Sequence, residues 1–592
     1  MNVRGKYVNC LSTAQSDAVR HMAQSRVISA GPGTGKTLTV AALVKNLVTN
    51  GVSASSILVL TFTRSAGIEM KTRIASICDK LVSHLITCCT LHSWAYTIMK
   101  AFPSAFGRRT GMTVYDEVDT YDVCSELNLM YRLRMRPGQI RHAIESRTCV
   151  RTVDEVEGRL LIEYQRWLEE MNAVDFCGMM KEVTAKLSDP EEPVTQWAMN
   201  KWRHVIVDEA QDMDSIQFEA VKMIAGHSNL NRSLVLVGDE DQSIYGWRGA
   251  NALAMNQWSD ETSVTCRLGD SYRCAKSIAA CAQKLIQHNW PDEDRPFDTL
   301  VAMGGEVIVR RHEDSMLEAQ KVSEQIQRWI ASGTSADQIA VLSRTRWRVT
   351  ETAARLAADS VPMTFVGERA SMYATREGKQ VLSMLRLAVN QRDALSFIRI
   401  RQALHVSDDE MHTLRLRAAS CGRSMFEEWR ATYKHPDIEG ATPWNETVHQ
   451  VLQWANETFN TLQHRAVVKS LQALSAMYRL TEPSHLLNWI DRIDFADNDA
   501  EVTGVHVGTI HSAKGKEFLY VVVIGLEQGH FPHRSAEDES EERRLFFVAI
   551  TRAIHTVIVS HADVVYSDNV GTKRARSSFI DEMGIGDDHD TK

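Results

Sequence analysis

The apolar positions fall into short unbroken runs separated by longer stretches whose apolar residues recur at helical spacing. Val27-Ile28-Ser29, Ile57-Leu58-Val59-Leu60, His204-Val205-Ile206-Val207 and Leu234-Val235-Leu236-Val237 have the length and density of buried parallel strands. The type recurs at Val307-Ile308-Val309, Ile339-Ala340-Val341-Leu342, Val505-His506-Val507, Tyr520-Val521-Val522-Val523-Ile524 and Thr556-Val557-Ile558-Val559. Helical runs from Leu38 to Val48 and up to Ile74 lie between the first strands, so the pattern predicts an α/β protein built on parallel sheets. Two stretches break the alternation. From 101 to 196 the chain reads as charged helices, among them Tyr131-Arg132-Leu133-Arg134-Met135-Arg136, closed by the turn-forming Ser188-Asp189-Pro190-Glu191-Glu192-Pro193. From 389 to 495 no strand pattern appears, and Val451, Trp454, Ala455 and Phe459 mark a helix face. Each stretch reads as an insertion interrupting one sheet, and no internal repeat stands out.

Composition narrows this only a little. A chain of 592 residues is too long for one core, and 44% hydrophobic with 24% charged residues describes an ordinary globular protein. The formal charge of -8 does not advertise nucleic acid, yet a basic groove can sit on an acidic protein. The eleven cysteines are scattered without a C-x-x-C pair, which fits a reducing, cytoplasmic setting. No apolar run approaches the roughly 18 residues of a membrane span, so no membrane association is expected.

The chemistry concentrates at the ends of the predicted strands. Ala30-Gly31-Pro32-Gly33-Thr34-Gly35-Lys36-Thr37 follows the first strand and opens a helix, the arrangement in which backbone N–H groups wrap nucleotide phosphates. Lys36 would reach the β- and γ-phosphates and the Thr37 hydroxyl would ligate Mg²⁺. Gln15, just upstream, carries an amide able to read an adenine edge. Asp208-Glu209 closes another strand: Asp208 can hold Mg²⁺ and Glu209 can deprotonate the attacking water. Thr61-Phe62-Thr63-Arg64 and Thr90-Leu91-His92-Ser93 occupy strand ends where α/β proteins bind ligands. Gln242, a polar sensor, is joined over a few residues to Tyr245, Trp247 and Arg248, an aromatic and basic cluster suited to stacked bases.

Seven ordered motifs make the chain resemble the superfamily 1A DNA helicases of the UvrD, Rep and PcrA type. They are AGPGTGKT at 30–37, TFTRSAGIEM at 61–70, VDEAQD at 207–212, VGDEDQSIYGWRGA at 237–250, SYR at 271–273, GTIHSAKGKEF at 508–518 and EERRLFFVAITRA at 541–553. The resemblance implies two RecA-like parallel-sheet domains of the P-loop NTPase type, 1A (1–100 and 197–264) and 2A (265–388 and 496–592). It also implies two largely helical inserted domains, 1B (101–196) and a short 2B (389–495). ATP and Mg²⁺ would lie between 1A and 2A, with Gly31, Gly33, Thr34, Gly35, Lys36 and Thr37 on the phosphates. Gln15 would contact adenine, Tyr272 would stack on it and Glu517 would lie near the ribose. Gln242 would sense the γ-phosphate, and Arg273 and Arg552 would act as arginine fingers. Phe62, Thr63, His92, Tyr245, Trp247, Arg248 and His511 would line a single-stranded DNA track.

The activity implied is ATP-dependent, 3′ to 5′ movement on single-stranded DNA and unwinding at single/double-strand junctions by a monomer or weak oligomer, with room for a protein partner in repair, replication or defence. Two alternatives stand beside it: a single-strand translocase that displaces proteins and unwinds weakly, and a non-catalytic ATP-gated DNA-binding subunit. The chain departs from the family at Leu38, Ser271 and Leu91, and at Leu404-His405-Val406-Ser407-Asp408, where relatives carry Gly-Ile-Gly. Counting back from Ser577 puts Lys573 where relatives carry an aromatic pin.

Overall fold

A computed structural model describes residues 11–20, 25–147, 153–225, 232–246, 249–250, 255–258, 264–293, 297–301, 304–366, 375–432, 447–459, 461–487, 490, 504–536, 538–567 and 570–585. The chain forms two compact units, one of residues 1–95, 183–367 and 501–592, the other of residues 96–182 and 368–500.

Among the described residues the first unit holds two large sheets and a short parallel pair, Asp270–Ser271 with Asp298–Thr299. The strands of the first are β1 (Arg26–Ala30), β2 (Ile57–Thr61), β3 (Thr87–Thr90), β4 (His204–Asp208), β5 (Ser233–Gly238) and β6 (Thr265–Leu268), in the order β3-β2-β4-β5-β1-β6, and all pairings are parallel. The second contains β7 (Glu306–Asp314), β8 (Ile339–Ser343), β9 (Met363–Val366), β10 (Val505–Thr509), β11 (Phe518–Val523) and β12 (Ala553–Ser567) in the parallel order β7-β12-β11-β8-β10-β9. A last strand, β13 (Val570–Lys573), returns antiparallel on β12. Every residue of β2, β4, β5 and β8 is buried, which is why they read as unbroken apolar runs rather than alternating ones.

Topology places chemistry at one edge of each sheet. Parallel strands present their carboxyl ends together, and the segments leaving β1, β2, β4 and β5 are the motif segments expected from the sequence. The sheets also repeat one another in a way that sequence alone hid. β2 pairs with β3 as β8 pairs with β10, and both β3 and β10 run into Thr-[Leu/Ile]-His-Ser, at Thr90–Ser93 and Thr509–Ser512. Thr63 and Thr345, each two residues beyond β2 and β8, occupy the N-cap positions of the helices Arg64–Ile77 and Arg346–Ala358.

In the second unit the two insertions fold together. Leu127, Leu160, Tyr164 and Trp167 from the first and Leu382, Leu385, Phe397 and Trp429 from the second belong to one apolar core. Buried charges cross between them: Lys379 Nζ lies 2.8 Å from Asp119 and 2.9 Å from Asp116, Arg401 is 3.0 Å from Glu126, and Arg399 pairs with Asp119. Burial would raise the Asp119 carboxyl, but Arg399 and Lys379 hold it far below the usual range. The helix Arg376–Val389, placed by sequence mostly in the second sheet's domain, packs instead with Ala394–Ile400 and the helices Val448–Thr458 and Leu462–Tyr478.

Lys573 is not at a hairpin tip. Ser567 pairs with Val570 next to the turn, whereas Lys573 faces Val564 three residues further from it. The aromatic nearest the turn among the described residues is Tyr566, opposite Gly571. Counting from Ser577 could not register this, because strand pairing rather than distance from the next helix fixes the turn.

Candidate active site

β1 delivers the glycine-rich loop to the start of the helix Lys36–Thr49. Gly33 and Gly35 adopt φ of 72° and 84°, which side chains rarely tolerate. A Cβ on Gly33 would lie 2.5 Å from Arg273 Cβ, and Tyr272 N–H donates to Gly33 O at 2.9 Å, so the SYR segment seats directly on the loop. Tyr272 itself is 40% exposed. Gln15 is buried; its amide donates to Thr34 O at 2.9 Å and accepts from Ser12 N–H at 2.9 Å, so it braces the loop. Gly31 enters the loop and Thr37 lies in the helix's first turn.

Lys36 Nζ is buried without a hydrogen-bond partner, 3.7 Å from Glu209 Oε2. An unpartnered buried ammonium at a helix N-terminus fits a group rich in anionic oxygens, as a nucleotide triphosphate is. Glu209 has φ 55°, a left-handed conformation uncommon for a side chain of its size, which turns it out of β4 next to Asp208. The two carboxylates divide their charge. Burial, reinforced by neighbouring Glu209, raises Asp208, against the pull of Lys36. Burial would raise Glu209 too, but Lys36 and Lys514 outweigh it and hold it low.

From Glu209 a hydrogen-bonded relay crosses from the first sheet to the second. Gln211 Nε2 donates to Glu209 at 2.6 Å, and Asp239 N–H donates to Gln211 Oε1 at 3.0 Å. Gln242 Nε2 donates to Asp239 at 2.6 Å, and Gln242 Oε1 accepts from Arg552 Nη2 at 3.0 Å. Arg552 is buried, and burial together with neighbouring Arg273 lowers it from the usual guanidinium range. Arg273 Nε lies 3.1 Å from Glu517, which therefore neutralises a finger candidate here.

The segment after Gln242 is gripped by side chains of the second sheet's half that sequence reasoning missed. Lys514 Nζ bonds both Asp212 oxygens at 2.7 and 2.6 Å and Gln242 O at 2.7 Å. Burial pushes Asp212 up to about 6 even against this lysine. Arg544 Nε donates to Ser243 O at 2.8 Å, and Gly246 N–H donates to Glu541 Oε1 at 2.9 Å. These residues lie inside quoted motifs, but only the fold says which backbone atoms they hold.

The gripped segment leads into a row of rings. Phe62, beyond β2, stacks on Tyr245 with centroids 5.3 Å apart and planes at 23°. Tyr245 lies 6.0 Å from His511, beyond β10, and Lys514 Nζ lies 5.1 Å from the Tyr245 ring centre. Thr63 caps its helix by accepting from Ala66 N–H at 3.2 Å, and His92 sits in the first turn of Leu91–Ala101. Trp247 and Arg248 lie outside the described residues. No helix among the described residues is long and apolar enough to cross a membrane.

Two family models match the chain in order. The UvrD/REP helicase N-terminal domain matches residues 11–263, and the UvrD-like helicase C-terminal domain matches 266–424 and 443–563. An ATP-dependent DNA helicase PcrA of Staphylococcus aureus strain Mu50 is 28% identical over 94% of this chain and 83% of its own length. A PcrA of Staphylococcus epidermidis strain RP62A is 28% identical over 97% of this chain and 86% of its own length.

Proposed function

The chain belongs to the UvrD/Rep/PcrA family of superfamily 1 DNA helicases, ATP hydrolases coupled to work on DNA, and from that premise we propose that it moves 3′ to 5′ along single-stranded DNA and unwinds duplex at junctions. The observation that carries the reading is the relay Glu209–Gln211–Asp239–Gln242–Arg552, which joins the carboxylate after β4 to an arginine of the other sheet, while Lys514 ties Gln242 O to the Tyr245 ring that stacks on Phe62.

In this mechanism the triphosphate takes the place beside Lys36 Nζ, with the loop from Gly31 to Gly35 offering backbone N–H groups. Thr37 and Asp208 are the residues that would hold Mg²⁺, which when bound offsets the charge of the phosphates. Glu209, already ionised by its neighbours, takes a proton from the attacking water. Gln242 exchanges its bond to Arg552 for the terminal phosphate, releasing that guanidinium and, with Arg273, offering two cations to the charge that develops. Tyr272 covers the adenine and Glu517 turns toward the ribose as Arg273 leaves it. Gln15 reads adenine only by giving up its bond to Thr34 or Ser12.

Because Lys514, Glu541, Arg544 and Arg552 all hold the segment 242–246 from the second half, closing the cleft shifts Tyr245 against Phe62 and His511, where bases stack. Thr63, His92, Trp247 and Arg248 complete the track. Opening one base pair opposes a stacking free energy of about 1.4 kcal/mol, within reach of one closure per base.

Single-strand translocation with weak unwinding is favoured by one feature: β13 is a row of exposed residues without an aromatic side chain. ATPase rates with and without single-stranded DNA, followed by strand displacement on 3′- and 5′-tailed duplexes, test the proposal. Stimulated hydrolysis with 3′-tailed unwinding is expected. Stimulation with an intact duplex reduces the protein to a translocase, and the absence of hydrolysis by wild type, with ATP-dependent DNA binding unchanged in Glu209→Gln, makes it a non-catalytic subunit.

A further inference from the structure

We propose that Trp347, buttressed by His530, is a base-stacking platform for single-stranded nucleic acid on the second RecA-like half, an addition to the track above that rests on the proposed function. Trp347 is 43% exposed, and the His530 ring meets it edge-on with centroids 5.1 Å apart and planes at 80°. A tryptophan 43% exposed and packed at right angles to a neighbouring ring leaves part of its π-surface within reach of solvent, and such a surface accepts any base.

The position in the sheet points to the same ligand. Trp347 lies in the first turn of the helix Arg346–Ala358, which follows β8 as the helix Arg64–Ile77 follows β2 and Phe62, and β8 pairs with β10 so that Ser343 faces Thr509, two residues before His511. His530 follows β11, the other neighbour of β8. Trp347, His530 and His511 therefore leave adjacent strands at the same carboxyl edge. The flanks are cationic: Arg346 precedes Trp347, and Arg534 is tied to the His530 turn by its N–H donating to Gly529 O at 3.1 Å. Exposed arginines around an exposed ring suit a polyanion carrying aromatic bases.

The platform is built on rigid supports. Arg348, the next residue after Trp347, is buried between Glu318 and Glu527, and Glu527 lies 3.2 Å from His530 Nδ1. One carboxylate thus fixes both halves of the ring pair. Glu542 adds a second tie, accepting from Arg344 Nε at 2.8 Å and from His533 N–H at 2.9 Å. Glu542 belongs to the helix Glu539–Ile550, which also carries Glu541 and Arg544, so the platform moves with the side chains that grip segment 242–246.

The test uses the full-length protein with fluorescein-labelled oligothymidine across a salt series, beside strand-stimulated ATPase. Trp347→Ala should raise the dissociation constant about 5- to 150-fold, the range of one lost stacking contact. The slope of log affinity against log salt should not change, because the ring neutralises no phosphate. Trp347→Phe should retain most of the binding, and both variants should melt as wild type does. Wild-type affinity in Trp347→Ala overturns the proposal and leaves the ring for a protein partner. Equal losses in both variants, or a shallower salt slope, overturn it as well, since neither is the signature of a stacking ring. If wild type itself neither binds the strand nor hydrolyses ATP faster with it, the proposed function falls first.

Discussion

Replacing Lys514 by methionine keeps the length of the side chain and removes its charge, and with it the bonds to both Asp212 oxygens and to Gln242 O. The lysine side chain is 9% exposed and the aspartate 1%, so this pair is shielded from water. Removing one partner of such a pair costs about 3 to 5 kcal/mol when the other charge stays stranded. Asp212 will not stay stranded: burial already lifts it to about 6, and without the lysine it rises further and takes up a proton near neutral pH. What remains is the loss of charge-assisted hydrogen bonds, about 2 to 3 kcal/mol. Lys514 comes from one half and its partners from the other, so the loss falls on the closed cleft rather than on the stability of either half. Strand-stimulated kcat/KM for ATP should therefore drop roughly 30- to 150-fold, while the melting temperature barely moves. Combining Lys514→Met with Asp212→Asn should restore activity to within about tenfold of wild type, because the neutral amide no longer needs a cation. A single variant within about threefold of wild type, or a double variant as poor as the two singles added, would refute the strut.

Three further outcomes follow from buried charge. Arg348→Met leaves Glu318 and Glu527 facing each other at 0% exposure, and should destabilise the second sheet by about 3 to 5 kcal/mol in chemical denaturation. Burial lowers His506 to about 3, below its unfolded value near 6.5, so its contribution is complete above pH 6.5 and is lost as pH falls. Between pH 6.5 and 5 this amounts to about 2 kcal/mol, and His506→Asn should flatten that part of the stability profile relative to wild type. Asp119→Asn leaves Lys379 and Arg399 as neighbouring buried cations, and hydrogen exchange should speed up together in Glu117–Met130 and Arg376–Ile400 although these segments belong to different insertions.

What was legible in the sequence was local. The strand runs, the loop at 30–37 and the acidic pair at 208–209 each carry their meaning within a few residues, and the structure brings Lys36 and Glu209 within 3.7 Å. The resemblance supplied the order of the motifs and with it the pairing of two sheets. What escaped notice was long-range. Glu126 and Arg401 lie far apart in the chain, and nothing in either neighbourhood signals that they meet at 3.0 Å. Lys514 looked like one more motif lysine until Asp212 and Gln242 O were found around its ammonium. Gln15 is a further case: nothing around it in sequence signals that both ends of its amide hold backbone groups of Thr34 and Ser12 in the fold.

The shared core of the two insertions bears on how such a chain can be shortened or rebuilt. Residues 96–182 and 368–500 are separate in sequence but form one body, with apolar side chains from each covering those of the other. Neither is a removable cassette. The helix Glu117–Met130 of the first packs on Ala394–Ile400 and Asp408–Cys421 of the second, so cutting out either insertion would uncover apolar side chains along that seam and leave an aggregation-prone face. The smallest piece that can be gained, lost or exchanged cleanly is the pair, so lineages that trade one insertion for a foreign version should be found to have traded both.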